Sequence, residues 1–413
     1  MKIAVIGSGI AGLGAAWLLS RQHQVVLFET QSRLGGHTHT HRVQEGSREF
    51  MVDSGFIVHN PANYPLFTRM LAELGVGSQA TTMGFSVHDA RNGLEYNATN
   101  LNAMFCQRRN LVSPRFLRMV GEILRFYRQA PALLEVSGDG PTLGQYLGEK
   151  AYSQLFIEDH LIPMASALWS SPAATVLDFP AKYLVQFMDN HHMLQADRRP
   201  AWRVVQGGSS AYIRAMKKNW TVDVRLSCPV RSVRREADSV VVGTQAGDER
   251  FDQVLLACHS DQALALLSDP SEAERSILGV IRYQENETIL HTDTSVLPQL
   301  RAAWAAWNAY VPARPGANCT VSYCMNLLQT LEASETYIVS LNRTADIARD
   351  KILARMRYQH PVHDHRSVAA QARRAEINGV SRTWYAGAYW GFGFHEDGLR
   401  SGVDVARALG VSW

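Results

Sequence analysis

The first 29 residues constrain the fold of this chain more than any other stretch. A short apolar run over residues 2–6 is followed by Gly7, Gly9 and Gly12 in GSGIAG, and then by small and apolar residues. A second apolar run, QVVLFE, ends at Glu29. This order predicts a strand, a tight turn, a helix and a second strand, which together form a βαβ unit with buried parallel strands.

The three glycines and the acid point to a bound dinucleotide. Gly7 permits the tight turn, Gly9 lets the backbone approach a pyrophosphate, and Gly12 lets the helix pack closely on the strand. Unpaired N–H groups at the helix start then face the phosphates. Glu29 is placed to bind ribose hydroxyls, which disfavours the 2′-phosphate of NADP. A secretory signal peptide is the alternative for this apolar start, but the glycine spacing and Glu29 favour a mature strand–turn–helix.

Composition narrows the class of protein. Apolar residues make up 46% and charged residues 19% of the 413, as in an ordinary globular protein long enough for two lobes. The net charge of +3 is too small to argue for nucleic acid. The five cysteines are odd in number and form no C-x-x-C pair, which favours reduced thiols in the cytoplasm. No apolar run reaches the ~20 residues of a membrane-spanning helix.

The remaining pattern alternates between β-rich and helical stretches. We predict two or three strands within residues 37–59, a helix near 64–74 and mostly helices over 114–191. A β-meander should follow between residues 222 and 257, and further strands between 280 and 342. A last strand near 384–388 and a helix from about 398 to 409 should close the chain.

Two motifs favour a flavin cofactor over a nicotinamide cofactor. SRLGGH, with Arg33, Gly35, Gly36 and His37, resembles the second phosphate-contacting turn of the FAD-dependent amine oxidase and phytoene desaturase families, although these commonly have Arg where this chain has His37. WYAGAYWGFGFHEDGLRSG, near the C-terminus, resembles their second flavin motif.

The resemblance implies FAD as the cofactor. It implies that Tyr389 lies near the flavin. It also implies that free N–H groups of Gly398 and Leu399 stabilise negative charge on the reduced ring. Val230 is a further expected cofactor contact.

The same resemblance implies an α/β fold, with a Rossmann-type FAD-binding domain of the amine oxidase and phytoene desaturase kind interleaved with a mixed α+β substrate domain. We expect the FAD-binding domain to comprise residues 1–75, 205–275 and 375–413. The substrate domain should then comprise residues 76–204 and 276–374.

Several segments are also similar to a narrower family of amine-oxidase-like flavoproteins that are fused to, or occur beside, cyclopropane fatty acid synthases. They are LGGHT, DSGFIVHN, LIPMASALWSSP, NHHMLQ, HPV and FGFHEDGLRSG. The similarity implies a lipid acyl chain as substrate, desaturation or oxidation as chemistry, and a synthase-like methyltransferase as partner. A substrate in a bilayer would require peripheral contact with the inner face of the membrane, and the helix at 115–129 is the candidate surface. Packing of this helix on the protein's own core is the alternative.

Candidate catalytic residues come from side chains that can move protons beside a flavin. His191 and His192 follow an apolar helix, and either is a candidate general base. His59 and Tyr323 are further candidates, the first because DSGF should lie near the ring. The alternation of His37, His39 and His41 would suit a metal on one face of a strand, but contact of His37 with the cofactor is more natural and we predict no metal.

Arg282 bears on whether this chain oxidises amines as the enzymes that it resembles do. Amine oxidases of this fold usually place a Lys near the flavin after a Gly-Val or Gly-Ile step, and LGVIRY has Arg282 there. Arg stays charged and cannot act as a base. The first hypothesis is therefore an FAD-dependent oxidoreductase acting on a lipid-linked chain. A flavin amine oxidase and a non-catalytic flavoprotein partner of a methyltransferase are the alternatives.

Overall fold

A computed structural model describes residues 1–138, 140–169, 173–195, 200–314 and 318–413 of the chain. A central parallel sheet organises the cofactor half. Its five strands, in spatial order, are Val222–Arg225, Gln24–Phe28, Lys2–Ile6, Gln253–Leu256 and Thr383–Tyr385. The predicted βαβ start and the mixed α/β fold class are confirmed. The strand at Val222 was expected in the meander, but it pairs parallel with Gln24–Phe28 and forms the edge of this sheet.

Helices cover one face of the central sheet, and a meander covers the other. The helix Ile10–Leu19 is buried along its whole length and packs against the last helix, His395–Ala408. Apolar side chains on the opposite face pack against the antiparallel meander of Ser232–Arg235, Val240–Thr244 and Gly247–Phe251. Burial on both faces explains why the central strands are apolar runs without alternation.

A seven-stranded sheet forms the floor of the other half. Its order is Ile352–Val362, Arg282–His291, Ile338–Leu341, Thr320–Cys324, Trp307–Val311, Phe85–Asp89 and Leu94–Asn97. All neighbours are antiparallel except Trp307–Val311 and Phe85–Asp89, which pair in parallel. Two small sheets complete the β-structure: Thr40–Glu45 with Arg48–Asp53, and Val58–His59 with Arg203–Val205 and Ser78–Ala80.

The stretch from residue 101 to 190 is mainly helical, as predicted, and we call it the helical arm. Ser113 caps the longest helix by accepting from the N–H of Phe116, and Thr142 forms the predicted cap as part of a capping box with Gln145. The helices of the arm are Leu101–Met104, Pro114–Gln129, Leu143–Glu149, Gln154–Phe156, Ile162–Trp169, Ala173–Leu177 and Ala181–Asn190.

The remaining helices lie between strands. They are Pro65–Glu73, Ala211–Met216, Ser260–Leu266, Glu272–Leu278, Met325–Leu328 and His365–Ala372. Among the described residues, no helix combines the length and the apolar character needed to span a bilayer.

Candidate functional site

One large cavity of about 1330 Å³ runs from the carboxyl edge of the central sheet into the helical arm. Pockets for a single small ligand usually measure ~300–1000 Å³. The cavity therefore has room for a large cofactor and a substrate together. Its lining changes from backbone and polar groups at the sheet to apolar side chains in the arm.

The glycine-rich turn after the first strand forms the sheet end of the cavity, and its three glycines are needed for different reasons. Gly7 has φ +102°, and its N–H donates to the carbonyl of Phe28 at 2.9 Å. A Cβ on Gly12 would lie 1.9 Å from the carbonyl oxygen of Gly7, so the helix approaches the turn too closely for a side chain. A Cβ on Gly9 would meet no protein atom within 4 Å, and Gly9 lines the cavity.

Glu29 lines the same end of the cavity and is already partly hydrogen-bonded. Its Oε2 accepts from the N–H of Ser8 at 3.0 Å and from Ser8 Oγ at 2.5 Å, and its Oε1 accepts from the N–H of Gln31 at 2.8 Å. A carboxylate offers about four acceptor positions. Glu29 thus braces the turn and keeps acceptor capacity for a ribose hydroxyl.

A second glycine turn meets the first. Gly35 and Gly36 both have positive φ, +118° and +56°, and a Cβ on Gly36 would lie 3.1 Å from the Cα of Gly9. Arg33 donates to the carbonyls of Gly36 at 2.8 Å and Thr38 at 3.2 Å. The guanidinium therefore holds this loop in shape while it lines the cavity.

Of the three alternating histidines, only His39 and His41 lie side by side. The strand begins only at Thr40, and the ring of His37 turns toward His360, 5.3 Å away, and Tyr358, 4.9 Å away. The rings of His39 and His41 lie 4.0 Å apart from each other. Burial and the neighbouring His360 and His259 hold the pKa of His37 well below its usual value, so this ring is neutral at pH 7.

The last helix corrects one prediction. It begins at His395 rather than Gly398, and the N–H of Gly398 already donates to the carbonyl of Phe394 at 3.1 Å. Gly398 and Leu399 thus have no free N–H groups for a flavin, and neither lines the cavity. Their role is packing, because a Cβ on Gly398 would lie 2.7 Å from Cγ2 of Ile10, and Leu399 is fully buried.

The unpaired amide groups belong to the first turn of this helix, which starts at His395. His395 lines the cavity, stacks on Phe56 with ring centroids 3.6 Å apart, and has Nε2 3.1 Å from the hydroxyl of Tyr212. His395 lies within the second flavin motif but was not among the predicted site residues. Its position directly after a glycine-rich turn was the available signal.

The residues at the sheet end fit the expected dinucleotide. Tyr389 and His37 line the cavity, and the buried Oη of Tyr389 and Nε2 of His37 have no hydrogen-bond partner within the described parts of the chain. Val230 also lines this end. A glycine cradle open at Gly9, an acid with spare acceptor capacity and two buried polar atoms facing a cavity match the needs of a flavin dinucleotide.

The arm end of the cavity is apolar. Aromatic, aliphatic and thioether side chains make up most of its wall, together with two histidines, His160 and His191. The wall includes Met83, Phe85, Tyr127, Met164, Ala167, Leu168, Trp169, Phe187, Met193, Trp202, Trp307, Tyr323 and Leu328.

His160 is a second residue that sequence reasoning missed. It lies in a short π-helical stretch, Ile157–Leu161, and its Nδ1 is 2.9 Å from the hydroxyl of Tyr96. Such a local widening of a helix leaves no mark in the sequence, although it is frequent at functional sites.

Of the two adjacent histidines, His191 lines the cavity and His192 does not. His191 is 9% exposed, lines the cavity and stacks on Phe187 with centroids 4.0 Å apart. Its Nδ1 donates to the carbonyl of Phe187 at 2.9 Å, which leaves the lone pair on Nε2. Burial lowers the pKa of His191 to about 4. His192 is exposed, has φ +52° and does not line the cavity.

Of the other candidates, Tyr323 lines the cavity, whereas His59 and Arg282 do not. Tyr323 lines the cavity and donates to the carbonyl of Ala167 at 3.3 Å, and burial raises its pKa. His59 is buried behind the wall against Phe67 and does not line the cavity. Arg282, expected where related enzymes place a lysine, lies at the surface and pairs with Asp364 at 3.0 Å.

Comparison with known proteins agrees with this geometry. Residues 10–307 match the flavin containing amine oxidoreductase family. The flavin-dependent L-tryptophan oxidase RebO of Lentzea aerocolonigenes is 47% identical over 55 residues, which are 13% of this chain and 12% of that protein.

Two solved structures share the fold over nearly the whole length of both chains. A fatty acid isomerase from P. acnes that produces CLA superposes with a TM-score of 0.70 at 16% identity, covering 99% of this chain and 98% of its own. Cyclohexylamine oxidase from Brevibacterium oxydans superposes with a TM-score of 0.71 at 14% identity, with the same coverage. The chain belongs to the flavin containing amine oxidoreductase family and is an FAD-dependent oxidoreductase.

Proposed function

We propose that this member of the flavin containing amine oxidoreductase family acts on the acyl chain of a lipid, which lies in the apolar arm end of the cavity. FAD accepts or donates hydride in such reactions. The observation that carries the proposal is the distribution of charge along the cavity wall. Among the lining residues that the structure describes, the only acidic or basic side chains other than histidines are Glu29, Arg33, Glu285 and Arg357.

None of these four side chains serves a substrate in the arm. Glu29 and Arg33 line the sheet end of the cavity. Glu285 and Arg357 lie on neighbouring strands, are exposed and form an ion pair at 3.8 Å. An ammonium ion that leaves water needs a charged or well hydrogen-bonded partner. The arm offers neutral, apolar walls instead, which favours a hydrocarbon chain over an amine cation.

The fold itself is compatible with either substrate class. At 14–16% identity, the structural neighbours include a fatty acid isomerase and a cyclohexylamine oxidase. The support for a lipid therefore comes from the chemistry of the cavity wall in this chain.

His191 supplies the proton chemistry in this proposal. Its Nδ1–H is committed to the carbonyl of Phe187, so Nε2 is the atom that takes or returns a proton. The stacked Phe187 fixes the ring plane, and Trp202 lies nearly parallel to the imidazole at 6.3 Å. Tyr323 and Trp307, in edge contact at 5.4 Å, form part of the wall along which the chain is aligned.

The test uses the FAD-loaded enzyme without oxygen. The oxidised enzyme is mixed with dispersed phospholipids carrying saturated or monounsaturated chains, the photoreduced enzyme is mixed with the same lipids, and the visible flavin absorbance is followed. We expect a lipid to change the flavin redox state in one of the two directions. Cyclohexylamine and putrescine should leave it unchanged. Bleaching by the amines with no response to any lipid would overturn the proposal.

A matched pair of variants sharpens this test. Met164 lies on the arm wall. Met164→Glu introduces a carboxylate there, whereas Met164→Gln introduces a polar group of similar size without charge. We expect Met164→Glu to lose more of the lipid response than Met164→Gln, because a buried carboxylate is much more costly beside a hydrocarbon chain.

A further inference from the structure

The surface of the helical arm carries an unusual share of exposed apolar side chains. Twelve large hydrophobic residues are exposed in the described part of the chain, and six of them fall within residues 101–136. Val112 is 82% exposed and Leu101 is 78% exposed. The six are Leu101, Leu111, Val112, Leu117, Leu124 and Val136.

The same stretch is strongly basic. Residues 101–136 contain six arginines and two glutamates, and no lysine, aspartate or histidine. Glu122 is buried and accepts from the N–H and hydroxyl of Ser153, so its charge is turned inward. Arg108, Arg109, Arg115 and Arg128 are exposed, and none of them forms an ion pair with a carboxylate that the structure describes.

The helix Pro114–Gln129 presents two opposite faces. Phe116, Met119, Ile123 and Phe126 are buried in the core of the arm. Leu117 and Leu124, seven residues apart, point outward on one face because two helical turns separate them. The helix contacts the preceding 3₁₀ turn, Arg108–Val112, in which Leu111 and Val112 are also exposed. We use the name basic apolar face for the six exposed apolar residues and the four unpaired arginines within residues 101–136.

We infer that the basic apolar face binds the anionic surface of a phospholipid bilayer. Isolated apolar side chains that protrude among arginines suit the interface of a bilayer, where the side chains enter the acyl boundary and the guanidinium groups meet phosphates. A second copy of this chain would bring the unpaired arginines of both faces together, and their repulsion opposes that contact. The occupant with the complementary charge is the anionic lipid headgroup.

This surface is independent of turnover but is joined to the cavity. Tyr127, in the same helix, lines the arm end of the cavity. Docking at the basic apolar face would therefore bring the arm against the lipid. Vesicle binding is measured without any redox reaction, so failure of the docking inference and failure of the proposed acyl-chain chemistry are separate results.

The test is sedimentation of the FAD-loaded enzyme with vesicles, either phosphatidylglycerol and phosphatidylcholine in equal parts or phosphatidylcholine alone. We expect binding to the anionic vesicles that weakens with added salt. Arg115→Gln with Arg128→Gln should lower the partition coefficient about 25-fold, because each arginine near an anionic surface contributes roughly a factor of five. Leu111→Ser with Val112→Ser should also weaken binding.

Matched controls use exposed residues elsewhere. Arg231→Gln with Arg349→Gln removes two exposed arginines, and Leu300→Ser with Leu353→Ser removes two exposed leucines, all outside the basic apolar face. These variants should bind as the wild type does, and every variant should keep its FAD content and melting temperature. Equal binding by the Arg115/Arg128 variant, or no wild-type binding to anionic vesicles, would overturn the inference. If the wild type binds no vesicles but forms a complex with a methyltransferase that the same variants lose, the basic apolar face binds a protein instead of a lipid surface.

Discussion

The two ends of the cavity are built on different principles. At the sheet end, backbone groups form much of the wall, and a Cβ on Gly7, Gly12 or Gly35 would collide with a backbone oxygen. At the arm end, side chains from helices and from the seven-stranded sheet form the wall. We therefore expect the sheet end to tolerate little change and the arm end to accept single substitutions that alter its substrate.

Gly12→Val should have the largest effect. Its Cβ would lie 1.9 Å from the carbonyl oxygen of Gly7, a backbone atom that cannot move without opening the turn. We expect the free energy of unfolding to fall by about 3 kcal/mol or more, together with loss of FAD. Denaturant unfolding followed by circular dichroism measures this. A variant with wild-type stability would show that the helix does not approach the turn as described.

Gly9→Val separates cofactor binding from folding. No protein atom lies within 4 Å of a Cβ at Gly9, and the residue has φ −65°, so the fold should accept the side chain. The cavity should not, because the valine occupies the space in which the pyrophosphate approaches the backbone. We expect FAD content near zero with the stability of the apo wild-type protein. FAD retained near one per chain would contradict this placement.

His191→Gln tests the arm end. Glutamine keeps polarity and approximate size but removes the Nε2 lone pair, so flavin reduction or reoxidation by the substrate should slow by about 10²–10⁴-fold. Stopped-flow absorbance under anaerobic conditions measures the rate. His192→Gln is the matched control, because that side chain is exposed and outside the cavity, and its rate should equal that of the wild type. Two fully active variants would return His191 to a structural role.

Glu29→Gln should have a moderate effect on cofactor affinity. The substitution removes the charge and turns an NH₂ group toward donors at Ser8 and Gln31 or toward the ribose. We expect FAD binding to weaken by about 1–3 kcal/mol, as for hydrogen bonds to charged groups. Ser8→Ala keeps the carboxylate, removes the Oγ that donates to Glu29 and accepts from the N–H of Gly35 at 3.2 Å, and serves as the control in the same titration. Equal affinities for Glu29→Gln and the wild type would remove Glu29 from the ribose site.

The smallest expected effect concerns pH. With its pKa lowered to about 4, His191 is neutral at pH 8 and at pH 6, so its Nε2 lone pair is present throughout this range. A histidine with the ordinary pKa of about 6.5 would lose roughly fourfold of its neutral form on the same change. The rate of the His191-dependent step should thus stay constant from pH 8 to pH 6. A fourfold fall that His191→Gln abolishes would show that the ring is more solvated than the structure indicates.

The accuracy of the sequence predictions follows the same division of the cavity. The strand–turn–helix with its three glycines and the fold class were predictable, because a local rule of backbone geometry links each residue to its place. The start of the last helix was placed three residues late, at the last glycine of the Gly391–Gly398 stretch. Asp397 accepts from the N–H of Phe394 at 3.1 Å and so begins the helix at His395.

The sequence by itself determined the dinucleotide end of this protein, since a glycine turn and an acid at the end of a strand act over a few residues. Only the tertiary structure decided which histidine faces the cavity. His191 and His192 are adjacent and alike in sequence, and the end of one helix turns the first inward and the second outward. The tertiary structure also determines that the described wall of the arm end contains no carboxylate. That wall is formed by residues from 81 to 341, which long-range packing brings together.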